Sequence, residues 1–192
     1  MFTPMDCHHA LCEFLEKEVA SSIKLHHENR IHKVSFENPK VIRSGYILPK
    51  SIGEATYLQT EGYDRAEYHL GEEYPFIIPS IDNVSNSGGE WASTVTFNIL
   101  FGVNAPSMYD EKGIAVKDSS GYRDIWNLIE RTRQRLFEVG VIGERFRIIQ
   151  DFFEAGLVDE LRYPYWEGYC KVRFQVAYIV PDIDFNSPNS YS

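Results

Sequence analysis

The chain carries one short segment whose residue types could bind a metal ion. Two cysteines and two histidines fall close together there, at Cys7, His8, His9 and Cys12. A structural zinc ion usually takes paired ligands at short spacing from two places in a chain. The two cysteines are five positions apart, and helical spacing puts Cys7 on an apolar stripe with both histidines off it. We therefore predict a half-buried cysteine beside solvated histidines, and no metal site.

A second group of histidines leaves a metal-dependent alternative open. His26, His27 and His32 lie in a segment without a clear secondary-structure pattern. Together with the first group they could supply the ligands of a small metal-dependent enzyme. A polar helix end explains these histidines equally well, so we predict that the protein needs neither a metal nor a cofactor. Metal analysis of protein purified without a histidine tag separates the two hypotheses.

The chain lacks the local patterns that accompany nucleophilic catalysis, including a Gly-x-Ser-x-Gly segment. Cys170 falls in the middle of a predicted strand on its apolar face, where a thiol is usually inert. Gly88-Gly89 precede a predicted strand and not a helix, which is the wrong context for a phosphate loop. The acidic pairs lie in predicted loops, at Glu72-Glu73, Asp110-Glu111 and Asp159-Glu160. We therefore predict a protein that is not an enzyme and has no catalytic residues.

Aromatic and basic side chains suggest a contact surface instead. Four aromatic residues cluster beside a proline where a strand is predicted to begin: Tyr163, Tyr165, Trp166 and Tyr169. Such residues can cap a core, but Tyr and Trp are also favoured at protein interfaces. Arg131 and Arg135 share one side of a predicted helix, with Glu138 nearby. We predict that these four aromatic residues and two arginines belong to an interface.

Two stretches that alternate as strands do must position these residues. In 91–103 the large apolar side chains fall on one face, where Ser93 is the polar exception. The other face is small and polar, with Leu100 as its large apolar exception. The alternation returns in 169–180 and ends at Pro181, which cannot extend a ladder. These stretches are therefore predicted to be two long strands of one sheet.

Two helices are predicted from apolar residues at helical spacing. One covers 121–139, includes Tyr122 in its buried stripe and ends at Gly140. The other covers 6–23, with Asp6 as its N-cap. Apolar strand faces and helix stripes can bury each other. The sequence thus predicts an α+β fold, with a mixed, mainly antiparallel sheet and two helices packed on one face.

The remaining segments are less regular. Short strands are predicted at 74–79 and 146–149, while 151–161 is predicted as a turn of helix or irregular chain. Residues 82–89 are predicted as a hairpin-like connection and 104–120 as a second long loop. Within 24–73 short strands start at Val34, Phe36 and Val41-Ile42, and this segment is either a small subdomain or an interaction arm. We predict one domain over 1–181 and a flexible tail over 182–192.

Composition narrows the class of protein. A hydrophobic content of 43% with 14% aromatic residues is enough for a core and excludes global disorder. The formal net charge of -9 argues against a phosphate-binding surface, so we expect no sequence-specific binding of nucleic acid. No apolar run approaches the roughly 20 residues needed to cross a bilayer, and the N-terminus lacks signal-peptide features. Three cysteines suit a reducing cytosol, so we expect a cytoplasmic protein with no membrane partner.

Several short motifs follow one another along the chain in an informative order. The order begins with an N-terminal helix and ends with a strand that stops at a proline. Between them come Tyr74-Pro75-Phe76-Ile77-Ile78, Phe101-Gly102-Val103, Gly121-Tyr122-Arg123-Asp124, Leu128-Ile129-Glu130-Arg131 and Tyr163-Pro164-Tyr165-Trp166-Glu167-Gly168. This order resembles the tail terminator, or tail completion, proteins of long-tailed bacteriophages and prophages. The resemblance covers residues 74–181 and, more loosely, the first helix; 24–73 and 104–120 look like enlargements.

The resemblance implies a structural role without catalysis. Such proteins form a ring, usually six-fold, that caps the finished tail tube, stops its polymerisation and presents a surface to the head. It therefore implies three partners, namely other copies of the chain, the major tail tube protein and the head–tail connector protein. It also implies a location in the virion tail after assembly in the host cytoplasm. An acidic ring suits this role, because DNA must pass through it without binding.

Two other functions remain as alternatives to tail termination. The chain could instead be another head–tail connector or a minor tail protein. The end of the tail that it occupies would distinguish such a protein from a tail terminator. A plain cytosolic binding module would stay monomeric and have no tail phenotype. If the chain is a tail terminator, the predicted loops 82–89 and 104–120 are the candidate contacts with the tube, because loops on a rigid sheet can reach a partner.

Overall fold

The computed structural model of the chain describes residues 3–28, 34–44, 74–85, 92–105, 108–109, 115–116, 120–158 and 165–177. This part contains two α-helices, α1 (Pro4–Phe14) and α2 (Ser120–Val139). After α1 the chain continues as a π-helical turn (Leu15–Val19) and a 3₁₀ turn (Ala20–Ser22). The strands of the described part are β1 (Leu25–Glu28), β2 (Val34–Glu37), β3 (Lys40–Val41), β4 (Phe76–Ser85), β5 (Ala92–Asn104), β6 (Met108–Tyr109), β7 (Ala115–Val116), β8 (Val141–Ile142), β9 (Phe146–Leu157) and β10 (Tyr165–Ala177).

Six of these strands form one sheet in the order β3-β4-β5-β10-β9-β8. β3 runs parallel to β4, and the other neighbouring pairs are antiparallel. β1 with β2 and β6 with β7 form two separate antiparallel hairpins. The main core joins residues of α1 and α2 to one face of the sheet. The predicted α+β fold, with a mixed and mainly antiparallel sheet, is confirmed.

β5 and β10 form the centre of the sheet. Their register runs from Tyr165 opposite Asn104 to Ala177 opposite Ala92 without a shift. The faces predicted by alternation are confirmed, and the side chains buried in the main core are Val95, Phe97, Ile99, Phe101 and Val103 of β5 and Cys170, Val172, Phe174 and Val176 of β10. β10 begins four residues before the predicted strand. Trp91 and residues 178–180 of the predicted strands lie outside the described part.

α1 begins with a capping box at Thr3. The Thr3 hydroxyl accepts a hydrogen bond from the Asp6 amide at 3.2 Å, and the Asp6 carboxylate accepts one from the Thr3 amide at 2.7 Å. The prediction of Asp6 as N-cap was therefore wrong by one turn. Pro4 is compatible with this earlier start. Backbone amides in the first turn of a helix have no acceptor within the helix, so the missing N–H of proline removes no hydrogen bond. The Thr3 amide and the Thr3 hydroxyl both donate to the Asp6 carboxylate, and these two hydrogen bonds lower the pKa of Asp6.

α2 lies against β5, β9 and β10. It buries Ile125, Ile129 and Leu136, as its apolar stripe predicts, and it also buries Leu128, which the predicted stripe did not include. The prediction that Tyr122 belongs to this stripe was wrong, because its side chain is 46% exposed. In the first turn the buried positions are instead taken by Ser120 and Gly121.

The opposite face of the sheet carries a smaller apolar cluster. Tyr74, Phe76 and Ile78 form it, and Leu100 packs against them. Leu100, the apolar exception on its strand face, thus has apolar partners. Gly102 allows this packing, because a methyl group at that position would lie 2.3 Å from the Phe76 ring.

The structure corrects the prediction for 146–161. β9 is one strand from Phe146 to Leu157, not a short strand followed by a helical turn or irregular chain. Phe146 and Ile148 are buried in the core, and further along Phe153 and Ala155 pack against the same core. The register with β10 shifts between these two halves. The side chains that face the core are therefore even-numbered before the shift and odd-numbered after it. The sequence therefore shows no continuous period of two.

The loop predictions were partly wrong in the same way. β4 continues to Ser85, past a register shift between Ile81 and Asn83, so the first half of the predicted 82–89 connection is strand. Within 104–120 the chain forms the β6–β7 hairpin. The strand starts predicted in 24–73 correspond to β2 and β3, while residues 45–73, 86–89 and 182–192 lie outside the described part. Neither helix of the described part is long and apolar enough to span a membrane.

Candidate protein interface

The metal-like cluster at the start of α1 is part of the core. Cys7 and Cys12 are buried, and so is His8, whereas His9 is exposed. The prediction that both histidines are solvated was therefore wrong for His8. Its Nε2 lies 3.0 Å from the Pro79 carbonyl oxygen, which satisfies the buried ring and joins α1 to β4. Among the described residues, no group of three or more potential ligands could hold a metal ion.

His8 and Cys12 do not form an activated thiol pair. Because the Pro79 carbonyl can only accept a hydrogen bond, His8 Nε2 is the donor and carries the proton. The Cys12 sulfur lies 3.7 Å from Nε2 and 3.9 Å from Nδ1. Burial raises the pKa of Cys12 to about 11 and that of Cys7 to about 12. Burial also raises the pKa of Cys170. These thiols are protonated at neutral pH, so they are poor nucleophiles.

We expect all three cysteines to be unreactive in the folded protein. At pH 8 a thiol reagent such as DTNB should modify them only as fast as the chain unfolds, whereas protein in denaturant should release three equivalents at once. Because the folded pKa values of Cys7 and Cys12 exceed the unfolded value of about 9, stability should be retained below pH 9 and fall as the pH rises toward 11 or 12. A thiol that reacts within seconds in native buffer would contradict this description.

His26, from the second histidine group, attaches the β1–β2 hairpin to α2, while His32 and the side chain of His27 lie outside the described part. His26 Nδ1 lies 2.7 Å from Asp124 Oδ2, and the His26 amide donates to the same oxygen at 3.0 Å. The Phe36 ring packs on the imidazole with centroids 4.6 Å apart. A His–Asp pair orients the imidazole in hydrolases, but there a hydroxyl or thiol nucleophile must also bind the ring. Among the described residues, no such group is bound to His26, and the pair connects β1 to the first turn of α2.

The candidate arginines also contact the N-terminal part of the same chain. Arg131 Nε donates to the Ser22 hydroxyl at 3.1 Å, and Arg135 lies 4.0 Å from Glu18 and 2.9 Å from Glu138. Both guanidiniums are therefore held within the subunit and are only partly exposed. Their assignment to an interface with another subunit stays a prediction.

Taken in order, these contacts show how the chain runs along α2. Glu18 meets Arg135, Ser22 meets Arg131, and His26 meets Asp124. The residue numbers rise along the segment that follows α1, while those of its partners in α2 fall. This segment therefore runs antiparallel to α2. The β1–β2 hairpin consequently lies at the N-terminal end of α2.

The candidate aromatic residues divide between the two faces of the sheet. Trp166 points toward the helices, because it shares the face of Gly168 and Cys170 along β10. Tyr165 and Tyr169 point to the opposite face, since successive side chains of a strand alternate. They therefore do not form the single cluster that the sequence predicts. Tyr163 lies outside the described residues.

On the helix side, Trp166 packs on the first turn of α2. A methyl group at Gly121 would lie 2.2 Å from the indole, so glycine is required for this contact. The Tyr122 ring meets Trp166 edge to face at 6.3 Å and Trp126 at 6.4 Å. Tyr122, Trp126 and Trp166 form what we call the aromatic patch. Tyr122 is 46% exposed, so the patch offers apolar surface to a partner. Phe36, on the neighbouring hairpin, is 58% exposed and packs on His26.

The sequence did not single out Phe36, Tyr122 or Trp126 as surface residues. Tyr122 fits the helical stripe, and only its position in the first turn indicates that it could leave the core. The indole nitrogens of Trp126 and Trp166 are buried and have no hydrogen-bond partner among the residues that the structure describes. Burial without a partner costs about 1–3 kcal/mol for each group. These two rings therefore contribute apolar packing beneath Tyr122.

On the opposite face, the tyrosines take part in contacts within the chain. The Tyr165 ring lies 4.9 Å from that of Tyr74, whose hydroxyl donates to Glu167 at 2.5 Å. The Tyr169 ring covers Gly156 of β9. The assignment of Tyr165 and Tyr169 to an interface stays a prediction.

Further along that face the strands carry charged side chains. Lys171 pairs with Asp82 at 3.6 Å, and Arg173 lies 4.0 Å above the Phe152 ring and donates to Thr96. These contacts cross from strand to strand and stabilise the polar side of the sheet. When the chain was compared with protein-family models and with curated proteins, it matched none of them.

Proposed function

We propose that the chain is a structural virion protein that forms a ring at the end of a phage tail tube. The ring stops polymerisation of the tube and provides the surface to which the head is joined. Two things support this proposal: the order of motifs over residues 74–181, which resembles the tail terminator proteins, and a subunit whose two sheet edges differ. The partners are other copies of the chain, the major tail tube protein and the head–tail connector protein.

The unlike sheet edges are the observation that carries the proposal. At one edge, β3 covers only the start of β4, where Lys40 is opposite Phe76 and Val41 is opposite Ile77. At the other edge, β8 covers only the start of β9, opposite Phe146 and Arg147. Among the described residues, no strand covers the outer side of residues 149–157 of β9. A bare edge offers backbone donors and acceptors to another chain.

Two different edges favour head-to-tail association. In a ring, one surface of each subunit meets a different surface of the next subunit, and the rotation between them closes the circle. A subunit that associated through one self-complementary surface would stop at a dimer. Both sheet edges are also separate from the aromatic patch. The patch therefore stays available to contact a further protein above or below the ring. Tyr and Trp are enriched in such contacts.

Deletion of the gene from the phage or prophage tests the proposal. Electron microscopy of the lysate should show free heads beside tails of abnormal or uncontrolled length, because nothing ends tube growth or binds the head. Supplying the intact gene from a plasmid should restore joined particles of uniform tail length. Normal joined particles in the deletion strain would refute a role in tail termination. Tails of normal length that carry heads but lack their distal tip would indicate a minor tail protein at the other end.

A further inference from the structure

We propose that the end of β4 in one copy pairs with the end of β9 in the next copy, so that the sheet continues from subunit to subunit. This inference rests on the proposed ring and deepens it, because it names the two segments that meet and the register between them. The segments are residues 81–84 of β4 and residues 153–157 of β9. We call their junction the seam.

The outer edge of β4 is occupied as far as Pro79. The Pro75 and Ile77 carbonyl groups accept hydrogen bonds from the chain of β3 at 2.8 and 2.9 Å. Pro79 has no amide hydrogen, and its carbonyl oxygen lies 3.0 Å from His8 Nε2. Residues 81–84 follow at a register shift, and among the described residues no strand pairs with their outer side.

The outer edge of β9 is uncovered at its far end. β8 pairs only with Phe146 and Arg147, and no described strand pairs with the outer side of 153–157. Neither 81–84 nor 153–157 contains a proline or a lysine, the residues that often protect a bare edge. β4 and β9 run in opposite directions, since three antiparallel pairings link them. A sheet that continues into the next copy therefore pairs them antiparallel.

The short edge strands exclude an alignment at equal height. Across the sheet, Val41 of β3 lies level with Leu157 of β9, and Val141 of β8 lies level with Ser85 of β4. Copies at equal height would meet only through these two-residue strands, and a gap one strand wide would separate β4 from β9. The copies must therefore be staggered along the strand direction.

A stagger of about four residues, or roughly 14 Å, brings the two uncovered segments together. Ile81 is level with Phe153 within one copy, and this shift places it opposite Leu157 of the next copy. The number of residues is even, so side chains that face the helices stay beside others that face the helices. Sheets that close on themselves are staggered in this way.

On β9 the outward backbone groups belong to odd-numbered residues. The Val158 amide donates to the Glu167 carbonyl of β10 at 3.1 Å, so Val158 points inward. Backbone groups of successive strand residues point to alternate sides. The amides and carbonyls of Phe153, Ala155 and Leu157 therefore point away from β10, toward a neighbouring copy.

On β4 the outward backbone groups belong to Ile81 and Val84. Ile81 has the same parity as Ile77, whose carbonyl points to β3. The register shift moves this parity by one residue, so Val84 is the next to point outward. The stagger that places Ile81 opposite Leu157 also places Val84 opposite Ala155. Donors and acceptors therefore meet at both positions.

The side chains agree with the same register. The apolar residues of the seam that pack only partly against the core are Ile81, Phe153, Ala155 and Leu157. Val84 lies on the same face and is 41% exposed. Pairing places these side chains next to one another and removes them from water. On the other face Asp82 lies 3.6 Å from Lys171, and Glu154 accepts a hydrogen bond from Tyr169 at 3.5 Å. Both carboxylates are thus held by β10 of their own copy.

Pairing of such short segments buries only a small area. Interfaces below about 1,200 Å² in total are typical of weak complexes. The seam alone would therefore leave the free protein largely monomeric at low concentration. On the end of a tube, neighbouring copies are held close together, and the effective concentration makes the same contact persistent.

Cysteine cross-linking of the full chain tests the register. Asn83 and Glu154 are exposed, and across the seam they become diagonal neighbours, about 7–8 Å apart. A short bis-maleimide should therefore convert Asn83→Cys/Glu154→Cys into a ladder of multimers, whereas each single variant should stop at dimers. Within one copy β5 and β10 lie between the two positions, so the ladder reports on neighbouring copies. The native cysteines are buried and should not contribute.

A matched control moves one thiol along the same edge. In Asn83→Cys/Asp151→Cys the second cysteine is equally exposed but lies three residues further from the seam partner. About tenfold more multimer is expected from the seam pair than from this control pair, since only the seam pair is held at high effective concentration. Equal ladders from the two pairs would overturn the register.

A proline gives an independent readout in the Asn83→Cys/Glu154→Cys background. Ala155→Pro removes an outward amide and no hydrogen bond to β10, so the ladder should fall about tenfold while the thermal midpoint is retained. Ala155→Ser keeps the amide and should keep the ladder. An unchanged ladder from folded Ala155→Pro would overturn the seam. If this variant does not fold, the comparison of the two cysteine pairs decides alone.

Tail assembly separates this inference from the proposed function. If the seam pair gives no more multimer than the control pair while the intact gene restores uniform tails in the deletion strain, only this inference fails. If the seam pair gives the ladder but deletion leaves joined particles normal, the proposed function fails and the contact between copies stands.

Discussion

Replacing Ile129 by aspartate is expected to unfold the protein. Ile129 is 2% exposed and belongs to the core between α2 and the sheet, where its Cδ1 would lie 3.1 Å from a methyl group at Gly168. The described residues of this core cluster are apolar, and an unpaired buried charge costs several kcal/mol. Because a native domain is stable by only about 5–15 kcal/mol, most of the folded population should be lost.

A matched variant shows whether charge or position causes the loss. Asn127→Asp adds the same charge to an exposed position of the same helix, and its thermal midpoint should stay within a few degrees of the parent. Circular dichroism during heating measures both variants. An unchanged melting temperature for Ile129→Asp would refute the packing of α2 on the sheet.

Replacing Phe97 by alanine is expected to destabilise the domain by about 3–5 kcal/mol. Phe97 is fully buried at the centre of β5, and its ring lies 5.8 Å from that of Phe174 and 6.2 Å from that of His8. Removal of the ring leaves a cavity where α1 meets the sheet. For a chain of this size the thermal midpoint should fall by roughly 10 °C.

The control for Phe97 is the same substitution on the surface. Phe36→Ala removes a ring that is 58% exposed and touches His26, so the loss should stay below about 1 kcal/mol. Urea denaturation gives both values with one probe. Similar losses for the two phenylalanines would contradict the assignment of Phe97 to the core and of Phe36 to the surface.

The central strands and the two helices could be predicted because their side chains are buried on one side only. β5 and β10 pair without a shift over their full length, so the period of two survives in the sequence. The stripe of α2 follows from the same one-sided burial, through Ile125, Ile129 and Leu136. Elements with uniform geometry leave a uniform pattern.

The other elements could not be predicted because local geometry interrupts their pattern. β9 changes the side that it buries at a register shift, so Ile148 and Phe153 fall out of phase. α1 starts at Thr3 because of a reciprocal pair of hydrogen bonds, which the residue types allow at more than one position. His8 lies inside the core because the Pro79 carbonyl, 71 positions away, provides an acceptor. Such long-range partners leave no local signal.

The candidate interface was predicted in part. The sequence drew attention to Trp166, which does underlie an exposed aromatic patch, but the patch is completed by Tyr122 and Trp126 from α2. Tyr165 and Tyr169 are close to Trp166 in the sequence and face the other side of the sheet. Residues that are close together in the sequence of a strand can therefore lie on opposite faces of the sheet, because successive side chains alternate.

Cryo-electron microscopy of purified tails, averaged at the end that receives the head, is the most direct test of the proposed function. The account predicts one closed ring beyond the last ring of the tube, six-fold as the resemblance implies, whose subunits fit the sheet and two helices described above. A tail end without this fold, or the same fold at the tip that faces the host cell, would contradict the account.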